Sequence, residues 1–255
     1  MLNPLLIKEF RIQARGWKTY AAGVIYISAI SALVFGLFWE ASSNGKTLDP
    51  EYGIDMFFVF AIALILGVCS ICPAFTVGAI SLECEQDTYD QLRATLLKPY
   101  QILIGKALPP IIYILMLMGA SLPVVSLIAP VGGISLAEIA ACYLIVFISA
   151  MTFSLVGLMC SSIFRHTRTS IIVTYSIAGF FLFGTVIIPM IANRVLMDRL
   201  IALNPFHAAM SVIGMSKQLQ LSGLPSWSIL AIVYLIISAA SVCITLFRFR
   251  QDRDG

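Results

Sequence analysis

The stretch Ile139–Phe164, IAACYLIVFISAMTFSLVGLMCSSIF, contains no charged residue and is mostly apolar. A helix needs about 20 residues to cross the hydrocarbon core of a membrane, and this stretch is longer than that. A membrane strand would need about ten residues of alternating hydrophobicity, which this stretch lacks. Because backbone polar groups cannot remain unpaired in lipid, the stretch is predicted to form a transmembrane helix.

Five further stretches have the same character. They are Tyr20–Trp39, Met56–Ile80, Ala107–Ala129, Ser170–Ala192 and Trp227–Phe247. Of the 255 residues, 60% are hydrophobic and 11% are charged, whereas a soluble domain carries about 25% charged residues. The chain is therefore predicted to be an all-α membrane protein with six transmembrane helices, forming a single domain over 1–255. Its net charge of +3 is too small to indicate nucleic acid binding.

The positive charges predict the orientation of these spans. If the N-terminus lies inside the cell, twelve of the 16 Lys and Arg residues fall in cytosolic segments. The outer segments then hold Lys46, Arg194, Arg199 and Lys217. Since cytosolic loops carry an excess of Lys and Arg, both termini are predicted to be cytosolic, in a bacterial-type cytoplasmic membrane.

The segment before the first span has an amphipathic pattern. Asn3 and Pro4 form a helix start signal. At helical spacing, one face would carry the cations Lys8, Arg11, Arg15 and Lys18. An aliphatic and aromatic stripe lies opposite, as is typical of a helix in the membrane interface. Residues 1–18 are therefore predicted to form an interfacial helix, with a generic topology anchor as the alternative.

The stretch 81–106 is predicted to be a cytosolic segment containing a short helix. Asp87 is expected to cap this helix, which would run from Thr88 to Leu97 and end at Lys98-Pro99. Its apolar face would carry Tyr89, Leu92 and Leu96. Such a helix between two spans is suited to docking in a groove on a soluble partner. A loop packed on its own bundle is the alternative.

A Gly-Lys-Thr run at Gly45 has part of the pattern of a phosphate-binding loop. That loop needs a glycine five positions earlier, where Glu40 stands, and no other Gly-Lys-Ser/Thr run occurs in the chain. The chain is therefore not expected to hydrolyse ATP by that route, and it is predicted not to be an enzyme.

The predicted spans carry charged groups only near their ends, as at Glu138. Ion-coupled transporters need intramembrane carboxylates or histidines, so this pattern argues against a secondary transporter. His166 and His207 belong to no metal or protease motif. Clustered Asp residues for Mg²⁺ are also missing. A membrane-embedded enzyme and a non-transporting scaffold or sensor remain the alternative interpretations.

The run ECEQDTYDQLRAT at 83–95, followed by Gly105-Lys106, resembles the permeases of the type 2 ATP-binding-cassette exporter family. Their usual pattern is Glu-x-Glu-x-Gly-Thr-x-Glu-x-Leu, then a Thr-Pro turn, then Gly-Lys before the third span. Asp87 stands here in place of the usual Gly, and Leu96 in place of the usual Pro. Similar landmarks elsewhere are Pro123, Gly132-Gly133-Ile134-Ser135, Arg165 and Asn204-Pro205-Phe206. The resemblance covers the topology of the whole chain and is most specific at 83–106.

The resemblance implies a type V exporter-like permease that works as a homodimer or heterodimer with separate ATPase subunits. ATP and Mg²⁺ would bind to those subunits, and no cofactor to this chain. The residues implied in ATPase coupling are Glu83, Glu85, Thr88, Tyr89, Asp90, Leu92, Thr95 and Lys106.

The resemblance also implies that the second and fifth spans line a cavity between the two permeases. Candidate residues for a substrate path are Pro73, Phe180, Phe181, Phe183, Thr185 and Pro189. Packing is the alternative role for the aromatic residues, and a purely structural kink is the alternative for the prolines. The stretch 193–225 would form an outer re-entrant segment.

Overall fold

The computed structural model describes residues 17–43, 50–87, 99–187, 200–212 and 226–254. These residues are helical apart from short connections. The helices are α1 (Trp17–Ser43), α2 (Pro50–Thr76), α3 (Ser81–Glu85), α4 (Pro99–Gly132), α5 (Leu136–Ile163), α6 (Thr167–Gly179), α7 (Pro205–Val212) and α8 (Ser226–Asp254). A π-helical segment, Phe180–Gly184, continues α6.

Six stretches of the described chain are long and apolar enough to cross a membrane. They are Tyr20–Ser43, Pro50–Glu85, Pro99–Gly132, Leu136–Ile163, Thr167–Ile187 and Trp227–Gln251. The predicted all-α fold with six spans is therefore confirmed. The second and third spans begin earlier than predicted, at Pro50 and Pro99. Proline is favoured at the first helical position because the amide it lacks would have no helical partner there.

The centre of the bundle is formed by α2 and α5. Helix α2 packs against α4 and α5, and α5 also packs against α8. The largest fully buried side chains include Phe57 and Phe60 of α2, Phe153 of α5 and Tyr234 of α8. Helix α1 lies at the periphery, on α2 and α4. Buried apolar side chains join the described helices other than α3 into one large core, and a second, smaller cluster lies next to α3.

Neighbouring spans run in opposite directions, which gives the bundle two ends. The end that carries α3, Lys106 and Thr167 is called the α3 end, and the end that carries α7 and Ser135 is called the α7 end. Phe249 near the end of α8 packs in a cluster with Ile80 at the α3 end. The connection between α4 and α5 lies at the α7 end.

That connection explains one of the sequence landmarks. A Cβ atom on Gly53 of α2 would lie 2.3 Å from the backbone nitrogen of Gly132, so the two helices meet there backbone to backbone. Gly133 has a positive φ of 61°, which ends α4 in the left-handed conformation that glycine favours. Ser135 then caps α5 in a capping box with Glu138.

Several predicted segments lie outside the described residues. These are residues 1–16 of the interfacial helix, the helix Thr88–Leu97, and the parts of 193–225 that flank 200–212. Within 200–212 the chain forms α7, a helix too short to cross a membrane.

Candidate functional site

The helix of the second span is interrupted near the α3 end by a turn at 77–80. Inside α2, Pro73 lacks an amide proton, and the chain leaves the α-helix shortly after it. An interruption of this kind exposes backbone carbonyl and amide groups that must find other partners. Side chains of three other helices supply them.

The carbonyl of Val77 accepts hydrogen bonds from the hydroxyls of Ser170 (3.0 Å) and Ser81 (3.2 Å). The Lys106 ammonium donates to the carbonyl of Ala79. The Ser161 hydroxyl oxygen accepts from the amides of Ile80 (2.9 Å) and Ser81 (3.0 Å). Helices α4, α5 and α6 therefore each hold the turn between α2 and α3.

Lys106 of α4 also forms an ion pair with Glu83 of α3. Its Nζ lies 2.9 Å from Glu83 Oε1, and Lys106 is only 5% exposed. A charge removed from water in this way needs a charged partner and hydrogen bonds to offset its desolvation. Glu83 and the Ala79 carbonyl provide both, which gives a physical role to the lysine of the Gly-Lys landmark.

Glu85 of α3 caps a helix that begins 82 residues later in the chain. Its carboxylate accepts from the backbone amide of Thr167 (2.8 Å) and from the Thr167 hydroxyl (3.0 Å). Thr167 is the first residue of α6, and the side chain of the preceding His166 makes no capping bond. An anion at this position satisfies an amide at the helix N-terminus and interacts favourably with the helix dipole.

The capping contact also lowers the pKa of Glu85. Helix α2 alone has 27 residues and is about 40 Å long, more than the hydrocarbon core of about 30 Å requires, so the second span can end before α3. The pKa of Glu85 is lowered chiefly by the Thr167 amide, then by the Thr167 hydroxyl, with His166 and Arg168 contributing as nearby charges. The contacts with Thr167 thus favour the ionised form of the Glu85 carboxylate.

These contacts attach α3 and the turn before it to α4, α5 and α6 at the end of the bundle. We refer to Glu83, Glu85, Lys106, Ser161 and Thr167 as the α3 anchor. Of the predicted coupling residues, the structure brings Glu83, Glu85 and Lys106 together there. The others, Thr88, Tyr89, Asp90, Leu92 and Thr95, lie outside the described residues.

Sequence reasoning missed Ser161, Thr167 and Ser170. Single hydroxyl residues are common in membrane helices, and nothing near them in the sequence distinguishes these three from the others. Their partners are 80 or more residues away in the chain. The capping role of Glu85 likewise depends on a contact between distant segments, so no local sequence pattern predicts it.

The backbone conformation of Asp87 is not the one usual for an N-cap, and the helix that it is predicted to cap lies outside the described residues. The sequence predicts it as the cap of a following helix, for which an extended backbone is usual. It has instead a positive φ of 54°, immediately after α3 and Gln86. A left-handed residue of this kind ends a helix, and glycine is the residue that most often adopts it. The Gly of the usual family pattern fits this conformation, and Asp is among the residues that tolerate it.

The predicted path residues are divided between the interior and the surface. Phe180 and Phe183 are 46% and 52% exposed. Phe181 packs against Tyr234 with ring centroids 5.6 Å apart, and Thr185 is buried. Pro73 is buried inside α2, and Pro189 lies outside the described residues. The π-helical segment thus presents two of its aromatic rings outward and one inward.

Six long apolar helices, packed around one core, define a multi-pass α-helical membrane protein. The model of the ABC-2 type transporter family matches residues 3–216. This match covers most of the chain, and the chain therefore belongs to the ABC-2 type transporter family. No curated protein sequence matches the chain.

The family confirms the resemblance found at 83–106. An ABC-2 membrane domain is the transmembrane component of an ABC transporter, so this chain is a permease component. Membership in the family also implies association with ABC ATPase subunits in a membrane.

Proposed function

We propose that this chain is the membrane-spanning subunit of an ATP-driven exporter, in which a separate ATPase subunit binds ATP and Mg²⁺. Two permease subunits would form the translocation pathway, with both termini of each in the cytosol. ATP binding would close the ATPase subunits, push on the segment 81–106, and tilt the membrane helices. The chain itself would act by contact and leverage, with no bond chemistry of its own.

The observation that carries this proposal is the α3 anchor. Helix α3 has five residues, and it is held to α4 by the Glu83–Lys106 ion pair and to α6 by the Glu85–Thr167 contact. The segment 81–106 joins α2 to α4, so the Glu85–Thr167 contact gives a force applied just after α3 a direct route to a third span, α6. A loop joined to the bundle only through its own two spans would yield to the same force.

The experiment compares variants of the anchor in the complex with the cognate ATPase, reconstituted in lipid nanodiscs. Glu85→Gln keeps the shape of the side chain but weakens its contact with Thr167, and Lys106→Met removes the ion pair. Both are expected to lower ATP turnover by the complex several-fold or to weaken its assembly. ATP hydrolysis and co-purification of the ATPase are measured in parallel.

Glu138→Gln is the matched control, because it removes a carboxylate that caps α5 at the opposite end of the bundle. This variant should retain both ATP turnover and assembly. Wild-type turnover and assembly in both Glu85→Gln and Lys106→Met would refute the coupling role of the α3 anchor.

A further inference from the structure

Asn204 is a completely buried polar side chain, with 0% of its surface exposed, immediately before α7. Its Oδ1 accepts hydrogen bonds from the backbone amides of Phe206 (2.8 Å) and His207 (3.3 Å). These amides belong to the first turn of α7, so the oxygen caps this helix. The capping role involves only the oxygen of the side-chain amide and not its nitrogen.

The nitrogen of the same amide faces the fifth span. Asn204 Nδ2 donates to the carbonyl of Leu182 (2.9 Å) and to the Thr185 hydroxyl (2.8 Å), with a longer contact to the Phe181 carbonyl (3.4 Å). The orientation of the amide is dictated by its partners, because its oxygen faces N–H donors and its nitrogen faces acceptors. Asn204 thus bridges two elements, because it accepts hydrogen bonds from α7 and donates hydrogen bonds to the fifth span.

Two of these acceptors, the carbonyls of Phe181 and Leu182, belong to the π-helical segment Phe180–Gly184, and the third, Thr185, follows it directly. The Thr185 amide donates to the carbonyl of Phe180, five residues earlier, where an α-helix would use Phe181. The Phe181 carbonyl accepts instead from the Thr185 hydroxyl (2.8 Å). Asn204 donates further hydrogen bonds to the Leu182 carbonyl and the Thr185 hydroxyl. These bonds matter in a membrane because water is not available there to replace them.

We propose that Asn204 is a positioning residue that holds the π-helical turn of the fifth span and joins it to α7, so that the two elements move as one unit. A ring contact between Phe183 and Phe206 of α7, with centroids 6.4 Å apart, lies across the same junction. The inference concerns contacts within this chain and does not depend on the proposed coupling to ATP.

The π-helical turn determines which side chains face outward beyond it. A π turn contains about one residue more than an α turn. Conversion to an α-helix would therefore rotate the residues after Gly184 by about 100° relative to α6. By holding the turn, Asn204 keeps Thr185 buried. In a transport cycle, displacement of α7 would act directly on this part of the span.

The test is amide hydrogen exchange, measured by mass spectrometry on the purified chain in lipid nanodiscs. Asn204→Asp retains an oxygen that can cap α7 but loses the donor to Leu182. Asn204→Ser retains a capping hydroxyl that is too short to reach the π-helical segment. Both variants are expected to raise exchange several-fold in residues 180–187. A role limited to capping α7 predicts unchanged exchange there.

Thr185→Val tests the junction from the fifth span and leaves the shape of the side chain almost unchanged. It removes a partner of Asn204 and is expected to raise exchange in both 180–187 and 205–212. Thr245→Val is its matched control, because Thr245 is also buried and its hydroxyl also donates to a carbonyl four residues earlier, that of Ser241 (2.8 Å). This control should leave both segments as in the wild type.

The outcomes separate clearly. Unchanged exchange in 180–187 for Asn204→Asp and Asn204→Ser would overturn the proposal, as would an effect of Thr185→Val confined to 180–187. If the Asn204 variants do not fold, Thr185→Val decides by itself: raised exchange in both segments supports the junction, and any other pattern refutes it.

Discussion

Gly157 shows how closely the central helices approach each other. A Cβ atom at this position would lie 2.5 Å from Thr76 Oγ1 and 3.5 Å from the Pro73 carbonyl of α2. Thr76 is buried, and its hydroxyl donates to the same carbonyl (3.2 Å), so it has little freedom to move aside. The missing side chain at residue 157 is therefore a requirement of the α2–α5 contact, next to the interruption of the second span.

We expect Gly157→Ala to destabilise the protein by about 1–3 kcal/mol, the usual cost of overpacking a core. Gly119→Ala is the control, because a Cβ built at that position has no atom within 4 Å apart from those of the adjoining helix backbone and chain neighbours. It should be neutral or slightly stabilising, since alanine favours helices over glycine. Thermal unfolding in detergent compares the two variants, and equal stability of both would contradict the packing argument.

Asp87 is a residue whose unusual identity was visible in the sequence. It stands where the usual pattern has Gly, but the pattern alone did not say which backbone conformation Gly serves there. The φ of 54° shows that the position has the left-handed conformation, which ends α3. The replacement of Gly by Asp thus marked a position with a special backbone conformation, but the sequence did not show which conformation it is.

At the scale of elements, the six spans were predictable because each consists of one long apolar stretch. The start of α5 was also readable, since Ser135-x-x-Glu138 is a capping box signature. Asn204-Pro205 likewise carries a helix start signal for α7, with a capping residue followed by proline.

Two elements were not predictable. Helix α3 has five residues and is held by partners from α4, α5 and α6, so its stability comes from distant contacts and not from its own sequence. The π-helical segment departs from the spacing of 100° per residue on which helical patterns are read. Asn204, which donates a hydrogen bond to the Leu182 carbonyl of this segment, lies 22 residues further along the chain.

The cap of α6 by Glu85 gives a prediction about pH. Because the Thr167 contacts lower the pKa of Glu85 below its ordinary value of 4.5, the native state favours the ionised carboxylate. The stabilisation is therefore fully present above the ordinary pKa and is lost as the pH falls through the lowered value. Glu85→Gln, which cannot ionise, should lack this dependence.

The measurement is the difference in unfolding temperature between the wild type and Glu85→Gln in detergent. It should be present at about pH 6, and it should shrink as the pH falls below 4.5. Glu138→Gln provides the comparison at the α7 end. A difference that stays constant down to about pH 3, well below the ordinary pKa of a glutamate, would contradict the ionised cap.

At the scale of the whole molecule, the two ends of the bundle differ in charge and in construction. The α3 end carries Lys106, Arg165, Arg168, Arg248 and Arg250, together with the acidic residues of α3. The α7 end has a Gly–Gly contact, a capped turn and a short helix. An excess of Lys and Arg marks the cytosolic side of a membrane protein, so the charge asymmetry predicts that the α3 end faces the cytosol.

The orientation is the prediction on which the proposed coupling depends, because ATP is available only in the cytosol. Leu136, at the start of α5, is 82% exposed at the α7 end, and Gln86 is exposed at the α3 end. Leu136→Cys should react with a membrane-impermeant maleimide in intact cells, and Gln86→Cys should react only after permeabilisation. The parent protein measures the background from its six cysteines. Labelling of Gln86→Cys in intact cells would place the α3 anchor on the wrong side for an ATPase partner.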